Sequence, residues 1–137
     1  MIRPFHLAFL VSDLDAARAF YCDILGCKEG RSAERWVDFD LHGHQISCHL
    51  GKAAGDRGSN PVDGDQVPIP HFGVILEWED WESLRERLIH AEVDFVIPPR
   101  IRFQGQPGEQ GTLFFRDPSG NALEFKSFRS DQDIFSR

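Results

Sequence analysis

The chain has 137 residues, enough for one compact domain with its own core, and 41% apolar with 27% charged residues is ordinary globular composition. The formal net charge of −7 leaves no basic surplus to neutralise phosphates, which excludes electrostatic nucleic-acid binding. The N-terminal apolar run is too short to span a bilayer and lacks a small-residue cleavage site, and Cys22, Cys27 and Cys48 show no C-x-x-C spacing, so a reduced, cytoplasmic protein without membrane association is expected.

Residues 4–11 (PFHLAFLV) predict a strand. A helix follows: Ser12 and Asp15 match the S-x-x-D capping pattern, Ala17, Phe20, Tyr21 and Ile24 recur at helical spacing, and Gly26 stands where a terminating glycine belongs. Strands are predicted around 27–33, at 35–41 and at 45–50, the last two joined by a tight hairpin over His42-Gly43-His44. Residues 51–69 are rich in Gly, Asp and Pro with no sustained period and read as a connecting loop, of a length that is often functional. HFGVILEW (71–78) predicts a strand, and Asp80 a cap for a helix with the apolar stripe Trp81, Leu84 and Leu88. DFVIPP (94–99) reads as a short strand closed by its prolines, and Phe103–Gly111 as a Gly-rich loop. Strands at 111–117 and 122–128 are joined by the turn Asp117-Pro118-Ser119-Gly120. The tail 129–137 reads as frayed and polar, anchored by Phe135.

The order is thus β-α-β-β-β, a linker, and β-α-β-β-β again, with the same offset of 65 residues from His6 to His71 and from Asp15 to Asp80. Self-similarity on this scale means a duplicated unit. The expected fold is α+β: two tandem βαβββ modules forming a curved sheet around a metal-binding cleft, helices outside. In that reading residues 1–137 make one domain, with module one about 1–51, a linker about 52–69, module two about 70–128 and the tail 129–137.

Side chains alternate across a strand, so each strand presents one apolar and one polar face. Ile46, Cys48 and Leu50, then Phe72, Val74 and Leu76, then Leu123 and Phe125 belong to the helix side. The opposite faces carry His6, Gln45, His49, His71, Glu124 and Lys126. Burying such groups without partners is expensive, and a metal ion would pair them. Two imidazoles and one carboxylate, His6, His71 and Glu124, form a facial set for Fe(II), equally acceptable to Mn, Ni, Co or Zn. His49 is a candidate fourth ligand, proton carrier or plain strand residue. Gln45, Arg102 and Lys126 are candidate contacts for a small-molecule substrate; Lys126 either pairs an anionic substrate or neutralises a carboxylate. His42 and His44 read as surface residues, His90 as a helix-terminal cation, and the three cysteines as inert packing.

With these residues in view, the chain resembles the vicinal oxygen chelate superfamily of glyoxalases, extradiol dioxygenases, epimerases and fosfomycin or bleomycin resistance proteins. The resemblance rests on FHLAFLVSDLDAARAFYCDILGC, HFGVILE and FFRDPSGNALEF, and spans roughly residues 4–128. GHQISCHL, NPVDGDQVPIPHFGVILEW and PGEQGTLFFRDPSGNALEFK are more closely similar to small single-domain bacterial extradiol-dioxygenase-like proteins. The resemblance implies metal ligation by His6, His71 and Glu124, a substrate that chelates through adjacent oxygens, ring-cleaving dioxygenase chemistry with Fe(II), and a homodimer. Two departures accompany it. The strand 45–50 offers Gln45, Ser47 or His49 and no Glu as a glyoxalase-type fourth ligand, and the single tyrosine, Tyr21, lies on the first helix rather than beside the ligands. A glyoxalase- or epimerase-like isomerase and a non-catalytic resistance-type binder are the alternative readings.

Overall fold

The computed structural model describes residues 2–53 and 55–137. It has few helices and several small sheets, the α+β class expected. The chain separates into two compact units, one of Met1–Arg57 with Asp117–Asn121, the other of Gly58–Arg116 with Ala122–Arg137. Among the described residues no helix is long and apolar enough to cross a membrane.

The first unit contains strands β1 (His6–Val11), β2 (Lys28–Ala33), β3 (Trp36–Leu41) and β4 (His44–Leu50) in the order β1-β4-β3-β2. β1 runs parallel to β4, with His6 opposite Gln45, and the other pairs are antiparallel. Helix α1 (Leu14–Arg18) continues as a π-helical segment, Ala19–Ile24. The predicted alternation holds for Ile46 and Cys48, which are buried on one face together with Val37, Phe39 and Leu41, and there Tyr21 stacks on Phe39 at 5.5 Å between ring centroids. The cap differs from the sequence pattern. Asp13, not Ser12, accepts from the Ala16 N–H, because Ser12 is engaged by Ser119: the Ser119 hydroxyl accepts from the Ser12 N–H at 2.9 Å. The hairpin after β3 is the predicted one. His42 and Gly43 both take positive φ, as a two-residue turn matched to strand twist requires.

The second unit repeats the topology, with differences. Residues 58–69, read as loop, form a hairpin of β5 (Gly58–Val62) and β6 (Asp65–Ile69) turning over Asp63-Gly64. Its polar composition hid a two-stranded ribbon with Val67 packed against Ile97, Phe114 and Ala122. The expected strand 71–78 is reduced to two parallel bridges, Phe72 to Leu123 and Ile75 to Lys126, because the middle of that ladder is stretched, with Lys126 N–H to Val74 carbonyl at 3.4 Å. Helix α2 (Trp78–His90) starts two residues before Asp80. Glu77 is its cap residue without a side-chain bond, and Glu79 and Asp80 lie in the first turn, where carboxylates suit the dipole. Trp81, Leu84 and Leu88 are fully buried, as predicted.

Strands β7 (Phe95–Arg102), β8 (Gln110–Arg116) and β9 (Ala122–Phe128) form an antiparallel sheet in that order. β7 does not stop at Pro98-Pro99 as predicted. It is an edge strand, where missing N–H donors are tolerated, and its register shifts between Ile97 and Arg100 absorb the prolines. In the tail, Phe135 is 92% exposed and anchors nothing. The anchors are polar: the Gly108 N–H donates to the Asp133 carboxylate at 3.1 Å, Arg129 pairs with Glu109 at 3.3 Å, and its guanidinium lies 3.6 Å from the Trp78 ring centre.

α2 seats tightly on β8. A Cβ at Gly111 would lie 2.9 Å from three carbons of the buried Trp81 ring, whose indole N–H donates to the Phe125 carbonyl at 3.1 Å. Gly111→Ala is therefore expected to cost about 1–3 kcal/mol by overpacking, read from urea unfolding. An unchanged midpoint would mean that the helix yields freely.

Candidate functional site

Each unit carries part of the predicted constellation. In the first, the face of β1, β4 and β3 opposite the helix lines an open cup of about 670 Å³ that includes Phe5, His6, Asp38, Asp40 and Gln45. The parallel register puts His6 beside Gln45, and the His6 Nδ1 lies 2.8 Å from the Gln45 Oε1. One row further along, the buried Ser47 hydroxyl donates to Asp38 at 2.5 Å. His49 is exposed on β4, between Leu10 of β1 and Trp36 of β3.

In the second unit a cavity of about 120 Å³ is lined by His71, Glu124, Arg100, Arg102, Lys126 and Thr112, among others. The His71 Nδ1 lies 2.7 Å from the Pro68 carbonyl, which can only accept. Nδ1 therefore donates to that carbonyl, which leaves Nε2 as the ring nitrogen turned toward Glu124. That Nε2 is 3.6 Å from the Glu124 Oε2. The gap is too long for a hydrogen bond, yet it suits two donors that each reach one ion at about 2.0–2.2 Å. The Phe114 ring stands edge-on to the imidazole at 4.7 Å and limits its tilt. The Lys126 Nζ is 3.1 Å from the other Glu124 oxygen, and the Thr112 hydroxyl lies 3.5 Å from the same atom.

Arginines line the remaining wall. Arg102 ion-pairs with Asp63 and Arg100 with Asp65, tying β7 to the β5–β6 hairpin. Neither Arg100 nor Asp65 stands out in the sequence, because Pro98 and Pro99 predict a strand end before Arg100 and the composition around Asp65 predicts loop. Alternation back from Arg102 would have placed Arg100 on the same face.

Of the predicted metal set, His71 and Glu124 thus stand together, with Lys126 and Arg102 around the same cavity, while His6 and Gln45 pair in the first unit. Among the described residues no group of three or more His, Cys, Asp or Glu side chains is placed to hold a metal ion. Donor chemistry nevertheless fits a divalent ion: an imidazole with its second nitrogen fixed, next to a carboxylate braced by a cation. The cysteines offer no nucleophile. Cys27 and Cys48 are buried and Cys22 is partly so, and burial pushes the Cys48 thiol up to about 12. Tyr21 is fully buried in the first unit, donating to Asp117 at 2.8 Å.

The description Glyoxalase/Bleomycin resistance protein/Dioxygenase superfamily matches residues 3–125. Metallothiol transferase FosB of Lysinibacillus sphaericus is 25% identical over 120 residues, covering 88% of this chain and 78% of that protein. A glyoxalase/bleomycin resistance protein/dioxygenase from Alicyclobacillus acidocaldarius has a solved structure with TM-score 0.77 and 33% identity over 96% of both chains. The fosfomycin resistance protein FosX of Listeria monocytogenes shares the fold, with TM-score 0.72 and 23% identity over 98% of this chain and 100% of that one; it has also been solved with Mn(II) and sulfate. The duplicated βαβββ topology, the paired His71 and Glu124, and a match over most of the length lead to one conclusion: the chain belongs to the Glyoxalase/Bleomycin resistance protein/Dioxygenase superfamily.

Proposed function

We propose that the protein is a divalent-metal-dependent enzyme that acts on a small anionic, oxygen-chelating molecule, in the manner of the fosfomycin-resistance relatives. The observation that carries this reading is the cavity in which His71 and Glu124 stand 3.6 Å apart beneath Arg100, Arg102 and Lys126. His71 Nε2 and the Glu124 carboxylate would hold the ion, while His6, the third residue of the expected set, stands beside Gln45 in the first unit. When bound, the ion supplies Lewis acidity toward two adjacent substrate oxygens. Pro68 holds the His71 tautomer, and Phe114 holds its ring plane. Lys126 and the arginines supply positive charge for an anionic group. His49 is the candidate proton carrier. Mn(II), which Listeria FosX has been solved with, is the first ion to test, ahead of Fe(II), Ni, Co and Zn.

The test is turnover. Protein loaded with Mn(II) is incubated with fosfomycin, with and without a low-molecular-weight thiol, and followed by phosphorus NMR. Conversion to a new phosphonate that is lost in His71→Ala supports the reading. Absence of conversion and of any fosfomycin-dependent thermal shift would sink it. The ring-cleaving reading keeps the same ligands with Fe(II), but the single tyrosine is committed to Asp117. Catechol consumption under oxygen by the iron-loaded protein would restore that reading. Light scattering on the same preparation tests the expected homodimer.

A further inference from the structure

We propose that Gly73 is a positioning residue: its missing side chain lets the 71–76 segment approach β9 closely enough to set the His71–Glu124 separation. This rests on the metal-centre reading and adds a residue that does not itself touch the ion.

A Cβ built on Gly73 would lie 1.6 Å from the Glu124 carbonyl oxygen, 2.6 Å from its carbonyl carbon and 3.3 Å from its nitrogen. All three are backbone atoms, so no rotamer change relieves the overlap. The contrast with other tight glycines is sharp. Gly51 meets the flexible end of Leu10 and Gly111 a ring face, both at 2.9 Å, while Gly43, Gly58, Gly64 and Gly105 have open space. Nor is a left-handed backbone involved, since Gly73 is not among the positive-φ residues. The demand at Gly73 is purely for space, against the backbone of the residue that bears the carboxylate.

The segment is clamped on both sides of that point. The Glu124 N–H donates to the Phe72 carbonyl at 2.8 Å, and the Leu76 N–H to the Lys126 carbonyl at 2.8 Å. His71 is held by Pro68 and Phe114, Glu124 by Lys126. A backbone shift therefore pulls each side chain against the partners that hold its far end. Real Cβ atoms essentially never come within 3.0 Å of another heavy atom, so a methyl group at Gly73 must drive the chains apart by more than an ångström. Two ligands of one ion stand no further apart than twice the bond length, about 4.2 Å. Directed along the pair, that displacement takes the separation from 3.6 Å past the limit.

Wild type, Gly73→Ala, His71→Ala and Gly111→Ala are compared. Mn(II) affinity is read by EPR of the free ion and scaled to the folded fraction from near-UV circular dichroism, at low temperature with a stabilising osmolyte. Gly111→Ala is the control, since it strains the same unit at Trp81 without touching the pair. The expected result is that Gly73→Ala loses about 100-fold in affinity, as His71→Ala does, while Gly111→Ala loses stability and keeps its affinity. A folded Gly73→Ala that binds Mn(II) like wild type overturns the proposal. So does a Gly73→Ala that never folds under conditions where Gly111→Ala does, because the glycine is then structural. If wild type itself binds no Mn(II), the metal reading fails separately. A crystal structure of Gly73→Ala then decides the positioning, with a separation still near 3.6 Å overturning it and a widened one upholding it.

Discussion

Replacing Glu124 by Gln is expected to lower divalent-metal affinity by more than about 100-fold, since loss of outer-shell partners alone costs 10–100-fold and this removes a ligand charge. The substitution keeps the shape and an oxygen for Thr112, but not the charge that faces His71 and Lys126. Fold stability should barely change. The Lys126–Glu124 pair has a lysine 41% exposed, and such pairs contribute about 0–1 kcal/mol. The signature is therefore a split: Mn(II) titration fails while the urea midpoint of the metal-free protein stays within about 1 kcal/mol of wild type. Equal affinities would remove Glu124 from the proposed ligand set. A parallel fall in stability would recast it as a structural carboxylate.

Asp117→Ala is expected to cost about 3–5 kcal/mol, the largest single loss of stability predicted for the first unit. One carboxylate, 5% exposed, accepts four hydrogen bonds. Oδ1 takes the Ser119 and Asn121 N–H groups at 2.9 and 2.8 Å, and Oδ2 takes the Tyr21 hydroxyl and the Asn121 side-chain amide at 2.8 and 2.9 Å. Truncation strands the hydroxyl of a fully buried tyrosine and opens the turn, whereas Tyr21→Phe removes one donor only and should cost about 1–2 kcal/mol. Burial, with the Asp117 charge second, pushes the Tyr21 hydroxyl well above its ordinary value near 10. The folded chain then keeps a proton that the unfolded chain loses, so stability falls as pH rises above 10, by up to about 1.4 kcal/mol per pH unit. Cys48 acts in the same direction in both proteins. The difference between wild type and Tyr21→Phe isolates the phenol, and because Tyr21 is the single tyrosine its tyrosinate absorbance reports the event directly. Equal alkaline slopes for the two proteins would contradict this account.

The legible part of the sequence was its periodic part. Two-residue alternation sorted Ile46 and Cys48 from His6, Gln45 and His49, because each sheet is covered on one face. Helical spacing identified Trp81, Leu84 and Leu88, all fully buried, and the 65-residue offset exposed the repeated topology, whereas the parallel first-to-last pairing is seen only in the structure. The turn Asp117-Pro118-Ser119-Gly120 was readable from local chemistry, although its carboxylate also reaches Tyr21, 96 residues away.

What escaped depends on partners distant in the chain. Ser12 and Asp13 are both good caps, and Ser119 decides between them by engaging Ser12. The 58–69 hairpin has no amphipathic signal, since what holds it is Arg100 and Arg102 on another strand. Pro98 and Pro99 end a central strand but not an edge strand, and edge position is a property of the assembled sheet. Phe135 looked like an anchor because it is aromatic, yet the tail is held by Asp133 and Arg129. The sequence by itself determined the residue types, the faces and the repeat, because these follow from local stereochemistry and apolar burial. Only the tertiary structure decided that His71 and Glu124 stand 3.6 Å apart beside Lys126, because that distance is set by two backbones pressed together at a residue with no side chain.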